Sequence, residues 1–106
     1  ADCVIVRLGH PGIIREIEVD TAHFRGNFPD RVSMQAALVR GIADDALESA
    51  SVAWPLLLPE QKLSADAVHR FKDQVARLGP VSHLRMTIHP DGGVSRLRLI
   101  GTVARP

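Results

Sequence analysis

The sequence predicts an all-β chain of the β-sandwich or jelly-roll type that contains one short helix. Apolar and polar residues alternate over residues 13–21, and they alternate again over residues 81–89 and 94–103, as in strands buried on one face. Clusters of Gly and Pro separate these segments at residues 9–12 and 90–93. We expect about five or six strands, fewer than a closed sandwich uses, so one sheet edge should stay open.

Further strand segments are predicted in the first half of the chain. Residues 3–8 alternate before the first cluster of Gly and Pro. Residues 32–39 form another strand candidate, although their alanines leave a helical interpretation open. Residues 41–51 are predicted as a loop or a weak helical turn, and residues 52–58 as a short apolar strand or an extended segment that Pro59 ends.

One convincing helix is predicted, between residues 64 and 78. Ser64 is suited to the N-cap, and Asp66 is well placed for the helix dipole. A Gly-Pro pair at residues 79–80 would end the helix. Four apolar residues recur at helical spacing: Val68, Phe71, Val75 and Leu78.

Residues 81–89 and 94–103 are predicted to pair with each other as a β-hairpin with one buried and one polar face. The polar face collects the cationic side chains His83, Arg85, Arg96 and Arg98. Like charges on neighbouring strands repel, so this face needs a compensating partner. Two interpretations stay open: acids of neighbouring strands on a solvated surface, or an anionic ligand gripped by Arg side chains.

Composition limits the classes of protein to which the chain can belong. Its 106 residues suffice for a single domain, residues 1–106, and its net charge of +1 predicts no nucleic-acid partner. The longest apolar run, residues 52–58, is too short to span a bilayer, so no membrane partner is expected. Cys3 is the only cysteine, which excludes an internal disulfide and fits a reducing, cytoplasmic environment.

Residues 20–30 carry more polar chemistry than a connection between strands needs. They hold two acids, a histidine, an amide, an arginine and a hydroxyl within one short loop. A plainer interpretation is that Asp20 and Thr21 end a strand while Phe24 and Phe28 plug the end of the sandwich. The five histidines show no zinc-motif spacing, so neither a metal nor a cofactor is predicted.

Three stretches together resemble the allantoicase family: residues 6–14 running into 20–30; residues 54–63 with Asp66, His69 and Phe71; and residues 79–85 followed by 89–101. Family members contain two jelly-roll repeats of the galactose-binding-like type. The resemblance implies that this chain is one such repeat, the second, without its opening strands. The absence of an initiator Met also leads us to expect a piece of a longer polypeptide.

The resemblance implies a ureide hydrolase of purine breakdown that converts allantoate and water to ureidoglycolate and urea. Asp20 or His23 would be the catalytic base, for attack by water or for elimination of urea. Arg85 or Arg96 would hold the substrate carboxylate. The full set of implied substrate-binding residues is Thr21, Asn27, Asp30, His83, Arg85 and Arg96.

The implied partners are a small ureide and either the rest of the same polypeptide or further copies of it. If the site lies between repeats or subunits, we expect the chain alone to be inactive. Two rival hypotheses remain. The first is a non-catalytic galactose-binding-like module that binds a sugar or small anion, and the second is a structural repeat in which Asp20, His23 and Asn27 serve folding alone.

Overall fold

Antiparallel strands dominate the computed structural model, which describes residues 2–26, 28–90 and 92–104. These residues contain six strands, one short helix and one 3-10 turn at Asp44–Ala46. The strands are β1 (Asp2–Asp20), β2 (Arg31–Ala37), β3 (Leu56–Lys62), β4 (Val68–Phe71), β5 (Val81–His89) and β6 (Arg96–Val103), and the helix is α1 (Leu47–Ser51). They form one curled sheet, which confirms the predicted all-β fold of the sandwich or jelly-roll type.

Strand β1 organises the sheet because it pairs with three other strands. The order is β3-β2-β5-β1-β4, and β6 also pairs with β1. The first part of β1 pairs with β5, and the part from Gly12 to Asp20 pairs with β6. Gly12 lies opposite both Val81 and Val103, so β5 and β6 occupy opposite edges of β1. β4 pairs with the last residues of β1.

The turn predicted at residues 9–12 is wrong, because β1 stays extended through it. The pairing of β1 with β5 is irregular between Arg7 and Gly12, where β1 passes from one part of the sheet to the other. Pro11 lacks an N–H, which an unpaired position does not need. A Cβ on Gly12 would lie 2.9 Å from the carbonyl oxygen of Thr102, so the close approach of β6 requires glycine.

A β-bulge in β1 accounts for a break in its alternation. Ile14 lies opposite Gly101 and Glu16 opposite Ile100, so β1 has one extra residue at this point. The bulge allows Ile14 and Ile17, three positions apart, to be buried in the same core. Beyond it, Ile17 and Val19 follow the predicted alternation and are fully buried.

The strand predicted at residues 52–58 begins later and runs through Pro59. Strand β3 covers Leu56–Lys62 and lies at the edge of the sheet, where a missing N–H costs no sheet hydrogen bond. The pairing shifts between Val32 and Met34 of β2, so β3 has an extra residue there that accommodates the proline. The strand predicted at residues 32–39 is confirmed as β2, and its helical alternative is wrong.

The helix predicted between residues 64 and 78 is wrong. Strand β4 occupies Val68–Phe71 and pairs with residues 17–20 of β1. The exposed edge of β1 offers these residues backbone partners, and this pairing overrides a modest helical preference. The helix lies instead at Leu47–Ser51, inside the segment predicted as a loop or weak helical turn.

The two strands of the predicted C-terminal hairpin exist, but they do not pair with each other. Strands β5 and β6 pair with opposite edges of β1, so they are not neighbours in the sheet. Alternation identifies the buried face of a strand and says nothing about its neighbour.

The curled sheet encloses a single cluster of buried apolar side chains among the described residues. Helix α1 packs on the outer face of the sheet, where Gln35 donates hydrogen bonds to the carbonyls of Val52 and Trp54.

Along the first part of β1, the edge opposite β5 has no strand partner within the described chain. No helix in that part of the chain is long and apolar enough to cross a membrane. The fully buried core residues are Ile17, Val19, Val32, Met34, Ala36, Leu57, Leu58, Val81 and Leu84.

Candidate functional site

The loop of residues 20–30, here called the end loop, is fastened to residues 63–67. Thr21 donates its backbone N–H to the Ala67 carbonyl at 2.9 Å, and Leu63 donates to the Asp30 carbonyl at 2.8 Å. These bonds close one end of the curled sheet. The end loop also packs against Gly93, because a Cβ on Gly93 would collide with the ring of Phe24.

Two of the predicted site residues hold the end loop in shape. One carboxylate oxygen of Asp20 accepts the N–H of Ala22 at 2.7 Å, as in an Asx turn. Thr21 is fully buried, and its hydroxyl lies 2.7 Å from the carbonyl of Ser64. The Thr21 hydroxyl also accepts the N–H of Ala67 at 3.1 Å. Thr21 therefore presents no surface to a ligand in this structure.

His23 is exposed, and its backbone adopts a left-handed conformation with φ of 72°. Its N–H donates to Asp66 Oδ1 at 2.8 Å, and the other carboxylate oxygen of Asp66 lies 3.6 Å from Arg25 Nε. Asp66 in turn donates its backbone N–H to the carbonyl of Phe24 at 3.1 Å. The side chain of Asp66 thus clamps the end loop, where the sequence suggested a role at a helix N-terminus.

Two more predicted site residues, Asp30 and Arg96, lie at the surface of this end of the sheet. Asp30 is exposed, with a carboxylate oxygen 3.6 Å from Nε of Arg31. Arg96 is exposed at the start of β6 and lies opposite Asp20 in the strand register. Asn27 lies outside the described residues. His23, Asp30 and Arg96 are therefore the predicted groups that this end of the sheet offers to solvent.

His83 and Arg85 lie elsewhere. Asp30 donates its backbone N–H to the His89 carbonyl at 2.9 Å, whereas His83 is six residues earlier on the same strand. Six residues of strand span about 20 Å. The predicted site residues therefore form two separate groups, one at the end loop and one on the outer face of β5.

The second group borders a groove between the outer face of the sheet and the segment that contains α1. We call it the β1–α1 groove; its volume is about 630 Å³. Strands β1 and β5 form its floor, and the 3-10 turn and α1 form one wall. It is lined by Cys3, Val4, Ile5, Arg7, Asp44, Leu47, Glu48 and His83.

His83 is the buried polar group of this groove, with 6% of its surface exposed. Its Nδ1 lies 2.8 Å from the hydroxyl of Ser82, and its Nε2 lies 3.4 Å from Nε of Arg7. A guanidinium only donates, so the tautomer with its proton on Nδ1 and an accepting Nε2 fits both contacts. The ring also packs against Trp54, with the ring centroids 6.1 Å apart.

Burial lowers the pKa of His83 below its ordinary value of 6.5, and the positive charge of Arg7 lowers it further. The carboxylate of Asp44 acts in the opposite direction and is the weakest of the three influences. His83 is therefore a neutral imidazole at neutral pH, which is the protonation state of a proton acceptor. The sequence suggested a cation on a polar face, and the structure places a neutral ring under α1.

Ser82 fixes the orientation of this ring. Its hydroxyl accepts the N–H of Val39 at 2.8 Å and lies 3.4 Å from the carbonyls of Ala37 and Val39. These contacts tie the β5 residues of the groove to the end of β2. A histidine whose second nitrogen is held in this way keeps one tautomer.

Arg85 anchors α1 to the sheet. Its Nη1 donates to the hydroxyl of Ser51 at 2.6 Å and to the carbonyl of Glu48 at 3.3 Å. The last carbonyls of a helix attract a cation, so this arginine stabilises the wall of the groove. The groove cation is instead Arg7, which the sequence analysis missed. The sequence indicated Arg7 in one way only, because it is the single charged residue among the otherwise apolar residues 3–8.

Comparisons with known proteins agree on one family. The sequence model of the allantoicase repeat matches residues 1–104. A protein named probable allantoicase 2 from Burkholderia pseudomallei is 60% identical over 97% of this chain and 31% of its own length. A probable allantoicase from Stutzerimonas stutzeri is 58% identical over 98% of this chain and 31% of its own length.

The fold agrees with a solved structure as well. The crystal structure of allantoicase from Saccharomyces cerevisiae superposes with a TM-score of 0.74 at 35% identity. The match covers 94% of this chain and 27% of the yeast chain. The chain therefore spans less than a third of the length of these curated relatives and of the solved structure.

We expect Thr21→Val to lower the free energy of unfolding by about 1–3 kcal/mol, because it leaves the carbonyl of Ser64 and the N–H of Ala67 without their buried partner. Chemical denaturation measures the loss. The matched control is Thr102→Val at an exposed position. Equal stability of the two variants would contradict the structural role of Thr21.

The lowered pKa of His83 predicts that stability declines in acid. Between its folded pKa and 6.5, the unfolded chain binds more protons at this residue than the folded chain does. The free energy of unfolding therefore falls as the pH drops below about 6.5 and levels off below the folded pKa. His83→Gln removes this contribution, so denaturation curves between about pH 7 and pH 5 should show a shallower decline. Parallel declines would contradict the prediction.

Proposed function

The chain belongs to the allantoicase family, and we propose that it forms part of an enzyme that hydrolyses allantoate to ureidoglycolate and urea. The observation that carries the proposal is the family match across residues 1–104. Because the chain spans about 31% of its relatives' length, the activity is proposed for the complete enzyme, to which this chain contributes one repeat. The proposed partners are the rest of that polypeptide or further subunits, in the cytoplasm.

The reaction sets the chemical requirements of the site. A carbon–oxygen bond forms between water and the central carbon of allantoate, and the bond from that carbon to one ureido nitrogen breaks. The proton that water loses ends on the departing urea, so charge is conserved. The site therefore needs a group that accepts a proton from water and returns it to nitrogen, and a cation for the carboxylate.

We assign the proton transfer to His83. Its imidazole is neutral, its Nδ1 is held by the hydroxyl of Ser82, and its Nε2 is directed toward Arg7 at the groove. Asp20 and His23 are the alternative bases. One oxygen of Asp20 already bonds the N–H of Ala22, and His23 stands exposed in solvent, which offers less control over its protonation. A buried imidazole beside a cavity supports the role better.

A chimera tests the activity. We expect the Burkholderia pseudomallei relative to release urea from allantoate, and to keep this activity within about 10-fold when this chain replaces its matched region. The substitution keeps 60% of the residues and the whole repeat fold, so the site should be retained. Urea release is measured directly. A folded chimera without activity, beside an active parent, would contradict the proposal.

In that chimera we expect His83→Gln to lower kcat by about 10²-fold or more, because glutamine accepts no proton. His10→Gln is the matched control, since His10 is exposed on β1 away from the β1–α1 groove. The rates of urea release at saturating allantoate decide the outcome. If His23→Gln or Asp20→Asn lowers kcat and His83→Gln does not, the catalytic base lies in the end loop.

A further inference from the structure

We propose that Arg7 recognises the carboxylate of the ureide and that its move from His83 to that carboxylate frees the base. The inference rests on the proposed function and names the residues that bind the substrate. Nε2 of His83, the atom assigned to proton transfer, already faces Nε of Arg7 in this structure, so Arg7 must move before Nε2 accepts a proton.

The contact between Arg7 and His83 is weak enough to be exchanged. Its length of 3.4 Å is beyond the usual range for a hydrogen bond between nitrogen and its acceptor. Register pairing places Arg7 directly opposite His83, so the backbone holds the two residues together while the guanidinium stays adjustable. The side chain of Arg7 is 61% exposed and can turn into the groove.

A ligand carboxylate can also replace Asp44, the second partner of Arg7. Its Nη2 pairs with Asp44, whose side chain is 77% exposed. An ion pair between two exposed side chains contributes little, because water competes for both charges. A ligand carboxylate that binds both nitrogens of one guanidinium edge makes a stronger contact than either partner that Arg7 has here.

The acidic side chains of the groove suit the ureido groups of the substrate. Once Arg7 turns, the carboxylate of Asp44 is available to accept ureido N–H groups, and Glu48 lines the same wall. The groove thus presents one cation and two acids to a ligand with one carboxylate and many N–H donors. Its volume of about 630 Å³ leaves room for a molecule of this size and for the attacking water.

Binding would also strengthen the base. The positive charge of Arg7 is one of the two causes that lower the pKa of His83. A bound carboxylate neutralises that charge, so the imidazole holds a proton more firmly when substrate is present than when the groove is empty. Proton transfer is then coupled to the arrival of a substrate that carries a carboxylate.

Arg7→Gln and Arg7→Lys in the active chimera test the inference, with allantoate and its carboxamide as paired substrates. We expect Arg7→Gln to lower kcat/KM for allantoate about 10- to 100-fold and to leave the carboxamide nearly unaffected, because only the charged contact is lost. Lysine should restore part of the discrimination. Arg15→Gln removes the same charge from an exposed position on β1 and is the control.

The outcomes separate this inference from the proposed function. An active chimera in which Arg7→Gln slows both substrates equally, or matches Arg15→Gln, overturns the role of Arg7 and leaves the hydrolase assignment intact. If the chimera is inactive, titration of the 106-residue chain decides: the Arg7 side-chain NMR resonance should shift saturably with allantoate and not with the carboxamide. A resonance that responds to neither compound, or to both alike, overturns the inference.

Discussion

The backbone N–H and C=O groups of β1 need hydrogen-bond partners along 19 residues. The strands that pair with β1 determine how the rest of the chain is arranged. Three strands pair with parts of its two edges, and none of them adjoins β1 in sequence. The bulge near Ile14 and the close approach at Gly12 are local adjustments that let this strand serve both parts of the curled sheet. The two candidate regions follow from the same arrangement, because β1 ends in one and provides the floor of the other.

The two regions differ in how their polar groups are used. In the end loop, Thr21 and Asp66 bond backbone groups and hold a connection that has no regular structure. In the β1–α1 groove, the backbone is already paired within the sheet, so the side chains of Arg7 and His83 are available to a ligand. The dense set of polar residues in sequence therefore includes groups that hold the end loop in shape, whereas a sparser set on paired strands lines the β1–α1 groove.

Sequence patterns predicted the strands more successfully than their partners. Alternation identified β5 and β6, yet their neighbour is β1, which lies more than sixty residues away in sequence and leaves no local signal. Helical spacing from Val68 to Leu78 was misleading, because the edge of β1 captures those residues as a strand. The sequence predicted His83 as a substrate-binding residue, but its neutral state depends on burial under α1 and on Arg7, and both arise only in the folded chain.

The pairing of β1 also determines the order in which this fold is able to form. Gly12 pairs with Val103, and each partner of β1 lies beyond residue 67, so the first strand leaves the ribosome long before any of its neighbours. Its apolar residues stay uncovered during that interval, and loop closure over such distances is slow. Strand β1 is therefore expected to reach its final pairing only after β6 has been synthesised.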